Sequence, residues 1–181
     1  MAVTLNASTS SGLIQSADNS GIIQFQSNGV TKATLNSSGF SYPGAVLQVV
    51  NATYSTSTST TSGSYTDLGL SASITPSSSS NKILVFVSIN GVYKNGHNGS
   101  IGLNVVRSST QIVQFAINGL SYTGDTSADQ TSGSINYLDS PATTSATTYK
   151  IQFKNGANSG GSVVINDSNC TSAITLMEIA V

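Results

Sequence analysis

Few side chains in this sequence could do chemistry, and each stands apart from the partners it would need. His97 is the only histidine, so no pair of imidazoles can hold a metal ion. It falls in "YKNGHNGS", a loop between two strand-like runs. A solvent-facing position is the bland reading, and contact with a receptor glycan or a neighbouring subunit is the functional one. Cys170 is the only cysteine; it has no disulfide partner and too few companions for zinc, and reads as a small buried or half-buried hydrophobe. Asp125 and Asp129, in "TGDTSADQT", lack the spacing and the closing glutamate of a calcium loop. They suit turn capping. Glu178 is the only glutamate and lies on an apolar terminal run. A lone buried carboxylate is costly, so Glu178 is expected to pair with a Lys or Arg, or to face solvent at a subunit boundary.

Serine is abundant, but no G-x-S-x-G elbow occurs, and a serine nucleophile needs a base held by an orienting partner. The glycines fall in turns and form no phosphate-binding loop. A glycan-active enzyme on a β-sandwich would need a carboxylate pair with its acid in an apolar pocket, and no such pair is apparent. No enzyme activity, cofactor or metal is therefore expected. Six Asn-x-Ser/Thr matches begin at Asn6, Asn36, Asn51, Asn98, Asn166 and Asn169; a chain this rich in Ser and Thr produces them by chance. Tyr93, Tyr122 and Tyr137 sit in or beside loops, where tyrosine can stack on sugars or partners or close the ends of a sandwich. Tyr93, His97, Asn98 and Tyr122 form the candidate receptor-contact set.

The elements that must position these residues are strands. The chain has 34 Ser and 21 Thr among 181 residues, while 7% are charged and the net charge is −1. Average domains carry about 25% charge. So little charge generates a weak field, which argues against nucleic acid and anionic membranes as partners. It also leaves little repulsion between copies. With 38% hydrophobic residues, the chain is ordered, taking its polarity from hydroxyls and amides. No run approaches the ~20 apolar residues that span a bilayer, and "MAVTLNASTSSG" lacks the basic and apolar regions of a signal peptide. "NKILVFVSING" puts Ile83, Val85, Val87 and Ile89 on one face, Leu84 and Phe86 on the other. "SIGLNVV" sets Ile101, Leu103 and Val105 against Gly102 and Asn104. "TYKIQFKN" points Tyr149, Ile151 and Phe153 inward and Lys150, Gln152 and Lys154 outward. "AITLMEIAV" sets Ile174, Leu176 and Glu178 against Met177, Ile179 and Val181. Gly/Asn/Ser turns separate the runs. The pattern predicts an all-β antiparallel sandwich or jelly roll, with "YSTSTSTTSGSYT" as a surface loop or edge-strand extension in one domain, or else a flexible linker between domains.

A boundary at "SYPGAV" separates an N-terminal attachment segment, 1–45, from a head domain, 46–181. The segment holds "GLIQSA", "GIIQFQS" and "VTKATLN", three short runs with Ile22, Ile23, Phe25 and Leu35 as apolar residues. A ribbon of this size is marginal alone. It is expected to meet identical copies, with the same apolar residues docking it to a larger particle; folding back on its own head is the alternative.

"GIIQFQSNGVTKATLNSSGF" resembles short segments of tail-fibre and structural proteins of tailed bacteriophages of the cyanophage type. These run as an aromatic-bearing strand, Asn-Gly, a second strand and Ser-Ser-Gly before a hydrophobe. "SYTDLGLSASITPSSSSNKILVFVSING", "SPATTSATTYKIQFKNG" and "ITLMEIAV" resemble the head modules of such proteins over residues 46–181. The resemblance implies a homotrimeric jelly roll of the tumour-necrosis-factor and complement-globular-head type, whose hydrophobic C-terminal strand lies near the threefold axis. Phe86, Ile151, Phe153, Leu176 and Ile179 are the expected core and trimer-packing residues. The implied function is a short tail fibre or knob in the virion that docks to other virion proteins through the N-terminal segment and contacts a host-surface glycan. The alternative is a trimeric capsid decoration protein.

Overall fold

Residues that alternate apolar and polar can satisfy their backbone groups and bury one face at once only by pairing as strands. In the computed structural model every pairing between strands is antiparallel. The structure describes residues 21–37, 39–94, 99–122, 126–156 and 161–181. The expected strand "GLIQSA" and the residues His97, Asn98 and Asp125 lie outside them. No α-helix occurs among the described residues. The chain divides into two compact units, Met1–Pro43 and Gly44–Val181.

In the first unit, β1 (Ile23–Ser27), β2 (Val30–Asn36) and β3 (Gly39–Ser41) form a sheet in that order. The β1–β2 hairpin closes on Asn28 and Gly29, both at positive φ, as a two-residue turn matched to strand twist requires. The third strand comes from "GFS", a stretch whose Ser38-Gly39 reads as a turn in sequence; three residues are too few to show a period.

The second unit is an antiparallel β-sandwich. One sheet contains β4 (Val46–Tyr54), β13 (Ser172–Ile179), β7 (Lys82–Lys94), β12 (Val163–Ile165) and β5 (Thr58–Thr60) in that order, with β10 (Asp129–Asp139) also paired to β7. The other runs β6 (Thr66–Ile74), β11 (Thr147–Asn155), β8 (Ile101–Arg107), β9 (Thr110–Leu120). The serine-threonine tract is thus an edge extension, since β5 pairs with β12. The inward residues of both sheets, among them Leu68, Val85, Ile89, Leu103, Ile151 and Leu176, form one buried cluster. β6 bulges opposite Lys150 and Gln152 at Gly69, whose φ is +101° and whose added Cβ would lie 2.7 Å from the Tyr54 ring. The bulge needs glycine on both counts.

Two polar clusters are buried within this frame. Asp139 of β10 accepts both close contacts of Arg107 Nη1 at 2.8 Å and the Tyr149 hydroxyl at 2.7 Å. Arg107 and Tyr149 belong to the opposite sheet, so the cluster ties one sheet to the other. Burial, and then the Asp139 carboxylate, push the Tyr149 hydroxyl well above the usual phenol range, so it stays a donor. Glu178 departs from expectation: it meets neither a cation nor solvent. It is fully buried and accepts from Gln48 Nε2 (2.6 Å), the Ser77 amide (2.7 Å) and hydroxyl (2.8 Å), and Asn81 Nδ2 (2.6 Å). Burial alone would raise its pKa; the bonds from Asn81, Gln48 and Ser77 outweigh it and hold the carboxylate below the ordinary glutamate range. Four neutral dipoles can do a counter-ion's work because hydrogen bonds to the charged form favour it.

Candidate functional site

Function must be sought on the outward faces. In the β4–β13–β7–β10 part of the first sheet, the register places Val49 opposite Met177, Met177 opposite Leu84, and Leu84 opposite Leu138. These four side chains form an apolar row across the outer face. Val49 and Leu138 at its ends are 55% and 54% exposed. Val46 and Ile179 extend it on one side. On the other side Phe86, 40% exposed, stands between Thr175 and Asn136 beside a groove of about 300 Å³ that Ser88, Ser134 and Ala173 also line. The one charge at the margin, Lys82, gives its Nζ to Ser140 Oγ at 2.7 Å.

The second sheet's outer face is of opposite character. There the register aligns Asp67, Gln152, Asn104 and Gln114 in a row across all four strands. Asp67 accepts from Lys150 Nζ at 2.8 Å and Gln152 Nε2 at 2.7 Å, and these two, Lys150 first, hold its carboxyl below the ordinary aspartate range. Asn104 Nδ2 donates to Gln111 Oε1 at 2.8 Å, and Gln114 Nε2 donates to the Tyr65 hydroxyl. Lys154 Nζ stands 4.9 Å from the centre of the Tyr65 ring. Asn104 is 2% exposed, and its Oδ1 accepts no hydrogen bond.

The residues singled out from sequence distribute as follows. Ile151, Phe153 and Leu176 lie in the buried core, Ile179 is half-buried on the outer face, and Phe86 is exposed there. Phe86 is therefore not a core residue of the single chain: its position in β7 is an outward one. Tyr93 is half-buried within β7 opposite Gln130, and Tyr137 is half-buried within β10 opposite Val85. Both are strand residues close to a strand end, Tyr93 just before the last residue of β7 and Tyr137 near the last residue of β10. Tyr122 is exposed. Asp129 begins β10 directly opposite the fully buried Lys94. In the N-terminal unit, Ile23 and Phe25 share a face with Leu35 and Phe40; Phe25 and Phe40 meet edge-on at 5.7 Å, and Phe40 and Tyr42 at 6.0 Å. Ile22 is exposed and precedes β1.

No group of three or more His, Cys, Asp and Glu side chains gathers among the described residues, and none of their helices is long and apolar enough to cross a membrane.

No protein family matches the sequence, and no curated protein matches it. Among solved structures, the chain is similar to the infectious bursal disease virus Gx strain structure, at 16% identity and a TM-score of 0.43, over 98% of this chain and 41% of that one. It is also similar to the infectious bursal disease virus VP2 subviral particle, at 13% identity and a TM-score of 0.41, over 93% of this chain and 46% of that one. The chain spans less than half the length of the chains it matches.

Proposed function

We propose that this chain is a structural virion protein of a tailed phage, a short homotrimeric fibre or knob. Its jelly-roll head self-associates through the outer face of β4–β13–β7–β10, its N-terminal segment docks to other virion proteins, and its head adheres to a host-surface glycan. The observation that supports this most is the apolar row Val49–Met177–Leu84–Leu138, open to solvent and free of charge. Fully burying a Val, Leu or Phe is worth ~1.5–3 kcal/mol, so covering half-exposed ones returns on the order of 1 kcal/mol apiece. An apolar patch this contiguous marks an interaction site, and with charges nearly absent a second copy meets it without repulsion. Closure about a threefold axis covers the face on every copy.

Sedimentation equilibrium of the full chain tests the assembly. A particle of three times 18.4 kDa is expected at micromolar concentration, and a folded particle of 18.4 kDa overturns it. Counting copies in purified particles tests the fibre: tens or fewer are expected, and hundreds would make the protein a capsid decoration instead.

A further inference from the structure

We infer that the outward face of β6–β11–β8–β9 is a saccharide-binding site, with Asp67, Gln152, Asn104 and Gln114 as its hydrogen-bonding row and Tyr65 closing one end. The inference deepens the adhesion half of the reading above and uses none of its assembly half. Four strands in register span three inter-strand steps, ~14 Å at ~4.8 Å each, which accommodates a short oligosaccharide. The row consists of one carboxylate and three amides, the groups that match the paired donors and acceptors of sugar hydroxyls. Asp67 and Gln114 are held in advance by bonds to Lys150 and Tyr65, so little of their side-chain freedom remains to be lost on binding.

What the row leaves unused identifies the ligand. Asn104 Oδ1 is buried and accepts nothing, although buried polar atoms are nearly always paired. Asp67 has a side chain 54% exposed and accepts two hydrogen bonds out of the roughly four an ionised carboxylate can take. Both are acceptors, so the group that would pair with them is a donor. A cation is disfavoured because Lys150 and Lys154 stand at the row. A hydroxyl-rich, uncharged or acidic molecule fits. Gln111 is the exposed side chain that accepts from the Asn104 amide, so a ligand hydroxyl that pairs with Oδ1 takes its place beside Asn104. The face lies on the opposite side of the sandwich from the apolar row, so assembly through that row leaves it open.

The full chain, probed against an immobilised array of neutral and sialylated oligosaccharides, is expected to bind at least one of them, with or without a chelator. Titration with that oligosaccharide should shift the side-chain amide resonances of Gln152, Asn104 and Gln114. Asp67→Asn and Gln152→Ala should each weaken binding about tenfold, the loss of one hydrogen bond to a charged group or its equivalent. Binding to nothing on the array, binding abolished by the chelator, or binding undiminished in the Asp67→Asn/Gln152→Ala variant each overturns the site. The two readings fail separately: a monomer that binds sugar leaves this site standing without the trimer, and a folded trimer that binds none does the reverse.

Discussion

The sandwich has two outward faces built from the same kind of strand, and they differ almost completely. Reading across the first sheet gives Val49, Met177, Leu84 and Leu138; reading across the second gives Asp67, Gln152, Asn104 and Gln114. Both rows alternate with buried core residues, so both are "outside" by the period-two rule. The difference is in what each leaves unsatisfied. The first leaves apolar surface against water, which a like surface relieves. The second leaves acceptors without donors, which only a polar ligand or water relieves. A domain with one sticky face and one polar face can assemble without occluding its contact surface.

The sharpest way to break this comparison is to put one charge on each face. Phe86→Asp should reduce the particle to 18.4 kDa with the β-sheet circular dichroism unchanged, because an unpaired charge in a desolvated interface costs several kcal/mol. Gln152→Asp, on the polar face, should leave the mass unchanged. If sedimentation shows both variants assembled, or both dissociated, the faces do not differ as argued.

The next effect in size concerns the support behind the apolar face. Glu178 belongs to β13 between Gln48 and Ile83, under the apolar face to which its neighbours Met177 and Ile179 contribute. Its folded-state pKa lies below the ordinary value of 4.5. A group shifted in this direction contributes stability that is complete above the unfolded value and is lost as pH falls through the folded one. The chain should therefore lose stability below about pH 4.5, and Glu178→Gln should flatten that acid limb. At neutral pH the variant should be less stable by on the order of 3 kcal/mol, because an amide presents an NH₂ to groups that are themselves donors. Urea melts from pH 3 to 7 measure both, and an unchanged acid limb in the variant would assign it to another carboxylate.

How much of this was legible in the sequence follows from which interactions are local. β7, β11 and β13 were readable because their alternation is long and clean; Tyr149, Ile151 and Phe153 point inward as the period requires. β3 was not, since three residues carry no period. The partners of Glu178 come from positions 48, 77 and 81, so their convergence is a property of strand register. The same holds for both outward rows. Gly102 and Asn104 were readable as facing away from Ile101, Leu103 and Val105, but that Asn104 stands beside Gln152 and Gln114 depends on pairings between strands that sequence leaves open.

Between the faces, the tie from Asp139 to Arg107 and Tyr149 offers a smaller and cleaner test. Tyr149→Phe removes one hydrogen bond to a buried carboxylate while keeping the ring, and leaves Arg107 bound to Asp139. Bonds to charged groups are worth ~1.5–3 kcal/mol; with Arg107 still in place, a loss near the low end is expected in urea denaturation. Assembly and sugar binding should both persist, since the tie touches neither face. A variant that lost one function and kept the other would mean the tie sets the geometry of that face alone.

The smallest effect separates recognition from stability on the polar face. Lys150 and Asp67 form an ion pair at 2.8 Å with side chains 29% and 54% exposed. Exposed pairs contribute ~0–1 kcal/mol, and Gln152 still bonds Asp67 when the lysine is gone. Lys150→Met should therefore change the urea midpoint by less than about 1 kcal/mol in stability. If the row exists to hold ligand, the same substitution should weaken oligosaccharide binding measurably, because Asp67 then keeps only one of its two anchors, Gln152. A variant equally stable but weaker in binding places the pair in recognition. One that loses stability by several kcal/mol places it in the fold, and the contrast between the two faces then reduces to one apolar surface and one ordinary polar one.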